Sequence, residues 1–119
     1  MQALSIDRSV LILREAAGDR RFISYGEFAL GHGLTWSAPT RTIVFRHLDE
    51  LNHWSSDHGL PLLSVIVTNK ENLKTGRMAE KTLAGFVDKA RRLHHRTVDD
   101  PQAFVASEQQ RVFEWAGTA

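Results

Sequence analysis

The sequence predicts a mainly helical chain with a short β element, an α+β arrangement built on a helix-turn-helix with additional N- and C-terminal helices. Three observations carry that prediction. Ser24 and Glu27 stand three apart, the spacing of a capping box, ahead of a short apolar helix. Ser37 and Pro39 open a longer helix, since a serine oxygen can accept from a first-turn N–H and proline tolerates that turn. Gly59-Leu60-Pro61 then ends the helix and leads into Leu62 to Val67, an apolar and β-branched run that reads as a buried strand.

Taken in order, Asp7 can cap a first helix through Ala17, with Val10, Leu13 and Ala17 inward and Gly18 closing it in the left-handed conformation. The capping box starts a helix from Tyr25 to Leu30, with Ile23 and Phe28 as its hydrophobic staple, and Gly31-His32-Gly33 stops it. In the next helix Ile43, Val44, Leu48, Leu51 and Trp54 share one face, leaving Thr40, Arg41, Arg46 and Glu50 toward solvent. After the strand, Thr68 to Asn72 reads as a turn. Met78 to Leu93 is amphipathic, with Leu83, Phe86, Val87 and Ala90 inward and Lys81, Asp88, Lys89, Arg91 and Arg92 outward. Asp100 followed by Pro101 opens a last helix through Trp115 that presents Phe104, Val105, Val112 and Trp115.

With 119 residues, 42% of them hydrophobic, the chain suits one core and one domain. Its longest apolar run is far below the roughly 20 residues of a bilayer span, and Asp7, Arg8 and Arg14 break the pattern of a signal peptide. The expectation is a cytoplasmic protein without membrane contact. There is no cysteine, which removes disulfides, thiol nucleophiles and thiolate metal sites together. The net charge is only +1, but residues 70–96 hold eight basic and three acidic side chains, so the basic character is concentrated.

A helix that enters a nucleic-acid groove carries short polar residues and arginine in its first turns. Thr40, Arg41, Thr42 and Arg46 have those identities and positions. The same residues also fit an ordinary solvated face on which Arg46 pairs with Glu50, worth a few tenths of a kcal/mol. The later basic group, Lys89, Arg91, Arg92, His94, His95 and Arg96, suits a phosphate backbone or simply complements a helix C-terminus. Tyr25 and Trp36 can stack on bases or cover the contact between two helices.

Six histidines raise a metal hypothesis, yet no His-Glu-x-x-His pattern occurs and no i, i+4 histidine pair exists. His47 falls near the apolar face and reads as a packed histidine, His32 as a turn residue. Gly76-Arg77 lacks phosphate-loop spacing, so no cofactor is expected.

Tyr25-Gly26-Glu27, then Thr40-Arg41-Thr42-Ile43, then Pro61-Leu62-Leu63-Ser64-Val65 together resemble the DNA-binding half of alkylguanine-DNA alkyltransferases and alkyltransferase-like proteins. The resemblance implies a winged-helix-like domain in which Arg41 takes the place of the arginine that fills the gap left by a flipped base. It puts Leu62 where the family has its reactive cysteine. Leucine cannot accept an alkyl group, Leu63 and Ser64 replace the family's His-Arg pair, and alkyl transfer is excluded.

The expected function is therefore a small, non-enzymatic DNA-binding protein, regulatory or associated with phage or defence. Its contact residues are Tyr25, Thr40, Arg41, Thr42 and Arg46, with Lys70, Lys74 and Arg77 as a wing and Arg91 and Arg92 on the backbone. The alternative is a protein-interaction module or homodimer acting through Phe104, Phe113 and Trp115 of the last helix. A metal-dependent nuclease comes third.

Overall fold

A computed structural model describes residues 4–78, 80–94 and 98–117. Five α-helices and a two-stranded parallel sheet follow in the order α1 (Ile6–Gly18), β1 (Ile23–Ser24), α2 (Tyr25–Gly31), α3 (Ala38–Asp57), β2 (Val67–Thr68), α4 (Glu80–His94) and α5 (Pro101–Gly117). The mainly helical expectation with one small sheet holds. Among the described residues, no helix is long and apolar enough to cross a membrane.

Local capping chemistry sets most helix starts. Glu27 N–H donates to the Ser24 hydroxyl at 3.1 Å and Ser24 N–H donates back to the Glu27 carboxylate at 3.3 Å, the reciprocal box the spacing predicted. Ser37 caps α3 by accepting from Thr40 N–H, and Asp100 caps α5 by accepting from Ala103 N–H. At α1 the cap is Ser5 rather than Asp7, because the Ser5 hydroxyl accepts from Arg8 N–H and Asp7 already lies in the first turn. Gly18 stays helical, and Arg20 adopts the left-handed backbone instead, at φ 54°. The inward face of α1 is Ser9, Leu13, Ala16 and Ala17, rotated so that Val10 is only half-buried.

The expected strand from Leu62 to Val67 is the main departure. Leu63 to Ile66 forms a 3-10 turn, and only Val67 and Thr68 pair as strand, parallel to Ile23 and Ser24. This segment is fully buried and packs against α1, α3 and α5. Its backbone is satisfied by side chains of α5 rather than by a ladder. Glu108 accepts from Leu62 N–H at 2.9 Å, while the Gln109 amide donates to Val65 O at 3.1 Å and to Gly76 O at 2.7 Å. Gly76 has φ +69°, and a methyl group there would overlap the Phe22 ring, so only glycine fits.

Phe104, Phe113 and Trp115 are partly buried and pack against the core. Phe104 meets Phe86, Phe113 meets Phe22, and Arg14 lies over the Trp115 ring.

Candidate nucleic-acid interface

Six residues, His32 to Ser37, join α2 to α3, longer than the three or four typical of a helix-turn-helix turn. At the start of α3, Arg41, Thr42 and Arg46 are exposed as expected. Thr40 is not. Only 8% of it is accessible, because its hydroxyl accepts from Ser37 and its N–H completes the cap. Arg46 makes no ion pair with Glu50 or with any other described carboxylate. Arg41 lies over the Phe45 ring at 5.1 Å, a cation–π contact that leaves the guanidinium edge open.

Tyr25 also departs from its expected role. Its ring is buried between Trp36, stacked at 6.3 Å, and Phe45, edge-on at 5.0 Å. Base stacking on Tyr25 is ruled out by those two neighbours. Burial raises the phenol pKa, opposed by a side-chain hydrogen bond with Thr82 and by the nearby Arg41 charge. The residues left accessible along this ridge are Trp36, 42% exposed, and Phe45, 37% exposed.

Lys70, Lys74 and Arg77 are exposed on the irregular segment after β2, not on a hairpin. Lys70 lines a groove with Trp36, which places this segment beside the same aromatic ridge. The other basic group is more dispersed than its sequence suggests. Arg91 donates to Val98 O at 3.2 Å, Arg92 pairs with Asp88 at 3.1 Å, and Lys89 is turned inward against Asp49 of α3. His95 and Arg96 lie outside the described residues.

A cleft of about 710 Å³ separates α3 from α4. Arg41, Phe45, Asp49 and Asn52 form one wall, and Lys81, Phe86, Asp88 and Lys89 much of the other. Asn52 is 7% exposed, and its Oδ1 has no hydrogen-bond partner among the described residues.

Sequence reasoning missed a second polar cluster behind this surface. The Ser9 hydroxyl lies 2.9 Å from His32 Nε2 and 2.7 Å from His47 Nε2. One hydroxyl has one proton, so Ser9 donates to one ring and accepts from the Nε2–H of the other. Ser9 is completely buried, so no substrate reaches it and the triad ties α1, α2 and α3 together. The signal for it was a serine on the same helical face as Leu13, Ala16 and Ala17. Among the described residues, no three His, Asp or Glu side chains are grouped to hold a metal ion.

Burial, the His47 ring and Arg8 lower the His32 pKa to about 4, and burial also lowers that of His47 against an opposing influence from Glu50. Folded-state values below the unfolded 6.5 mean that the unfolded chain binds protons the native chain refuses. Stability from the triad is therefore fully present above about pH 6.5 and is lost as pH falls toward 4. Because His32 is partly solvated, the expected loss is discounted to about 1–3 kcal/mol. Urea unfolding of wild type and His32→Gln at pH 7 and pH 4.5 checks it: the loss on acidification should shrink in the variant, which has no ring to protonate at that site, and equal losses would remove His32 as its cause.

No family model, curated protein or solved structure matches the chain.

Proposed function

We propose that this chain is a small DNA-binding protein of winged-helix-like design, in which the first turns of α3 enter the major groove and residues 70–77 flank it as an irregular wing. The observation that supports this reading is the continuity of one surface. Lys70 adjoins Trp36, Trp36 stacks on Tyr25, Tyr25 meets Phe45, and Phe45 carries Arg41. Cations from two separate segments thus border one aromatic ridge, and none of Arg41, Arg46, Lys70, Lys74 and Arg77 is paired with a carboxylate among the described residues. Unpaired arginines on a helix start can read guanine edges or hold phosphate, and lysines on the flank add sequence-independent attraction. The resemblance to the alkyltransferase DNA-binding half points to the same helix, with Arg41 as its leading residue.

Arg41→Ala is expected to weaken duplex binding by about 1–3 kcal/mol, roughly five- to 150-fold. Its thermal midpoint should stay within a few degrees of wild type, since an exposed arginine adds little to the core. Fluorescence anisotropy with a labelled duplex measures the first, and calorimetry the second. Equal affinities would remove α3 from the contact.

A protein-interaction module is the second reading. Beside the partly exposed Phe104, Phe113 and Trp115 of α5, it finds support on the outer face of α2, where Leu30 is 70% exposed and lines a groove with Trp36, Leu34 and Lys70. A chain that binds no DNA at low salt and self-associates through Leu30 would favour it.

A further inference from the structure

The cleft between α3 and α4 has the chemistry of a small-molecule site that shares Arg41 and Phe45 with the proposed DNA face and adds Lys81, Phe86 and Asn52 to them. Its volume of about 710 Å³ falls within the range typical of ligand pockets. Leu48, Val67, Met78 and Phe86 give it an apolar floor, and all four are buried core residues. Four cations, Arg41, Lys81, Lys89 and Arg92, line it against two carboxylates, Asp49 and Asp88. Both carboxylates are already neutralised, Asp49 by Lys89 and Asp88 by Arg92. The net cationic character therefore resides in Arg41 and Lys81, each in the opening turns of its helix, where the helix dipole adds to the attraction for an anion.

Asn52 supplies the second element of recognition. A buried amide oxygen with no donor among the described residues is an arrangement that folded proteins seldom carry. That oxygen is shut off from the cleft, so the group Asn52 can turn to a ligand there is its amide nitrogen, as a donor. An apolar floor, two cations without carboxylate partners among the described residues and one amide donor together favour a flat ring that bears both a negative group and an accepting polar edge.

We propose that this cleft binds a small aromatic anion, its ring over Phe86 and Met78, its negative group between Arg41 and Lys81, and its polar edge on Asn52. A nucleoside monophosphate and an aromatic carboxylate share that chemistry. Lys81 lies outside the proposed DNA face, so the two assignments fail separately.

Titration of the ¹⁵N-labelled chain, without DNA, tests it with four probes: adenosine 5′-monophosphate, benzoate, adenosine and inorganic phosphate, each to about 10 mM to capture millimolar affinities. The expected result is saturable movement of the Asn52 side-chain amide and of backbone signals at Arg41 and Lys81 to Phe86 with one of the two aromatic anions. Adenosine and phosphate, each holding half the chemistry, should bind at least tenfold more weakly. Whichever anion saturates first identifies the source. Lys81→Glu, a change at an exposed position, should abolish the movement while leaving the remaining spectrum in place. No saturable shift with either anion, shifts that map elsewhere, phosphate binding as well as the aromatic anions, or shifts that survive in Lys81→Glu would overturn the proposal.

Discussion

Glu108→Ala is expected to lower stability by about 2–4 kcal/mol, because it removes the acceptor of a buried backbone N–H and empties a buried site. The carboxylate is 1% exposed. One oxygen accepts from Leu62 N–H and the other from Arg111 Nη1, each at 2.9 Å. Alanine would leave a buried backbone N–H without an acceptor and open a cavity beneath the irregular segment, two costs that act together. Glu108→Gln keeps an acceptor for Leu62 N–H and should lose less, about 1–2 kcal/mol. Urea unfolding of the three proteins separates these outcomes. An alanine variant within 1 kcal/mol of wild type would mean that the segment is held by packing alone. Because residues 62–66 lead directly into the segment carrying Lys70 and Lys74, a loosened anchor should also weaken the proposed duplex binding.

Leu62→Ala should cost about 2–5 kcal/mol through the cavity it leaves. Leu62 is fully buried, belongs to the central core cluster and lines neither surface cleft. The alkyltransferase resemblance implies a different environment, with this position at the floor of a base-sized pocket. The two alternatives predict opposite behaviour. A core leucine loses stability on truncation and leaves the affinity for alkylated guanine in DNA untouched. A variant of full stability with altered affinity for that lesion would contradict the packing described above.

What was legible in the sequence was what depends on neighbours within a few positions. The Ser24–Glu27 box, the Ser37 and Asp100 caps, the inward set Val44, Leu48 and Leu51, and the exposed Arg41 and Arg46 all follow from local spacing. The run from Leu62 to Val67 was read correctly as buried and wrongly as strand. A continuous apolar run reports burial without reporting its hydrogen-bond partners. Those partners are Glu108 and Gln109, more than 40 residues away, and they replace the ladder a strand would need. Their presence on the apolar face of α5, one turn after Phe104 and Val105 and one before Val112, was the available sign. Thr40 failed because one short side chain can serve a cap or a groove, and Ser37 claims it. The cleft between α3 and α4 is a product of tertiary packing, and no local pattern encodes it.

The central claim, that the ridge from Lys70 to Arg41 contacts DNA, is tested most directly by measuring affinity for duplex and single-stranded oligonucleotides across a salt series. The five exposed cations proposed as contacts, Arg41, Arg46, Lys70, Lys74 and Arg77, predict binding that weakens steeply as salt rises. A slope of log K against log salt of roughly −3 to −4.5 corresponds to about 0.9 per phosphate contact. Duplex should be preferred, since the proposal has α3 entering a groove. No binding to either form at about 50 mM salt, or an affinity indifferent to salt, would contradict a nucleic-acid interface at this surface.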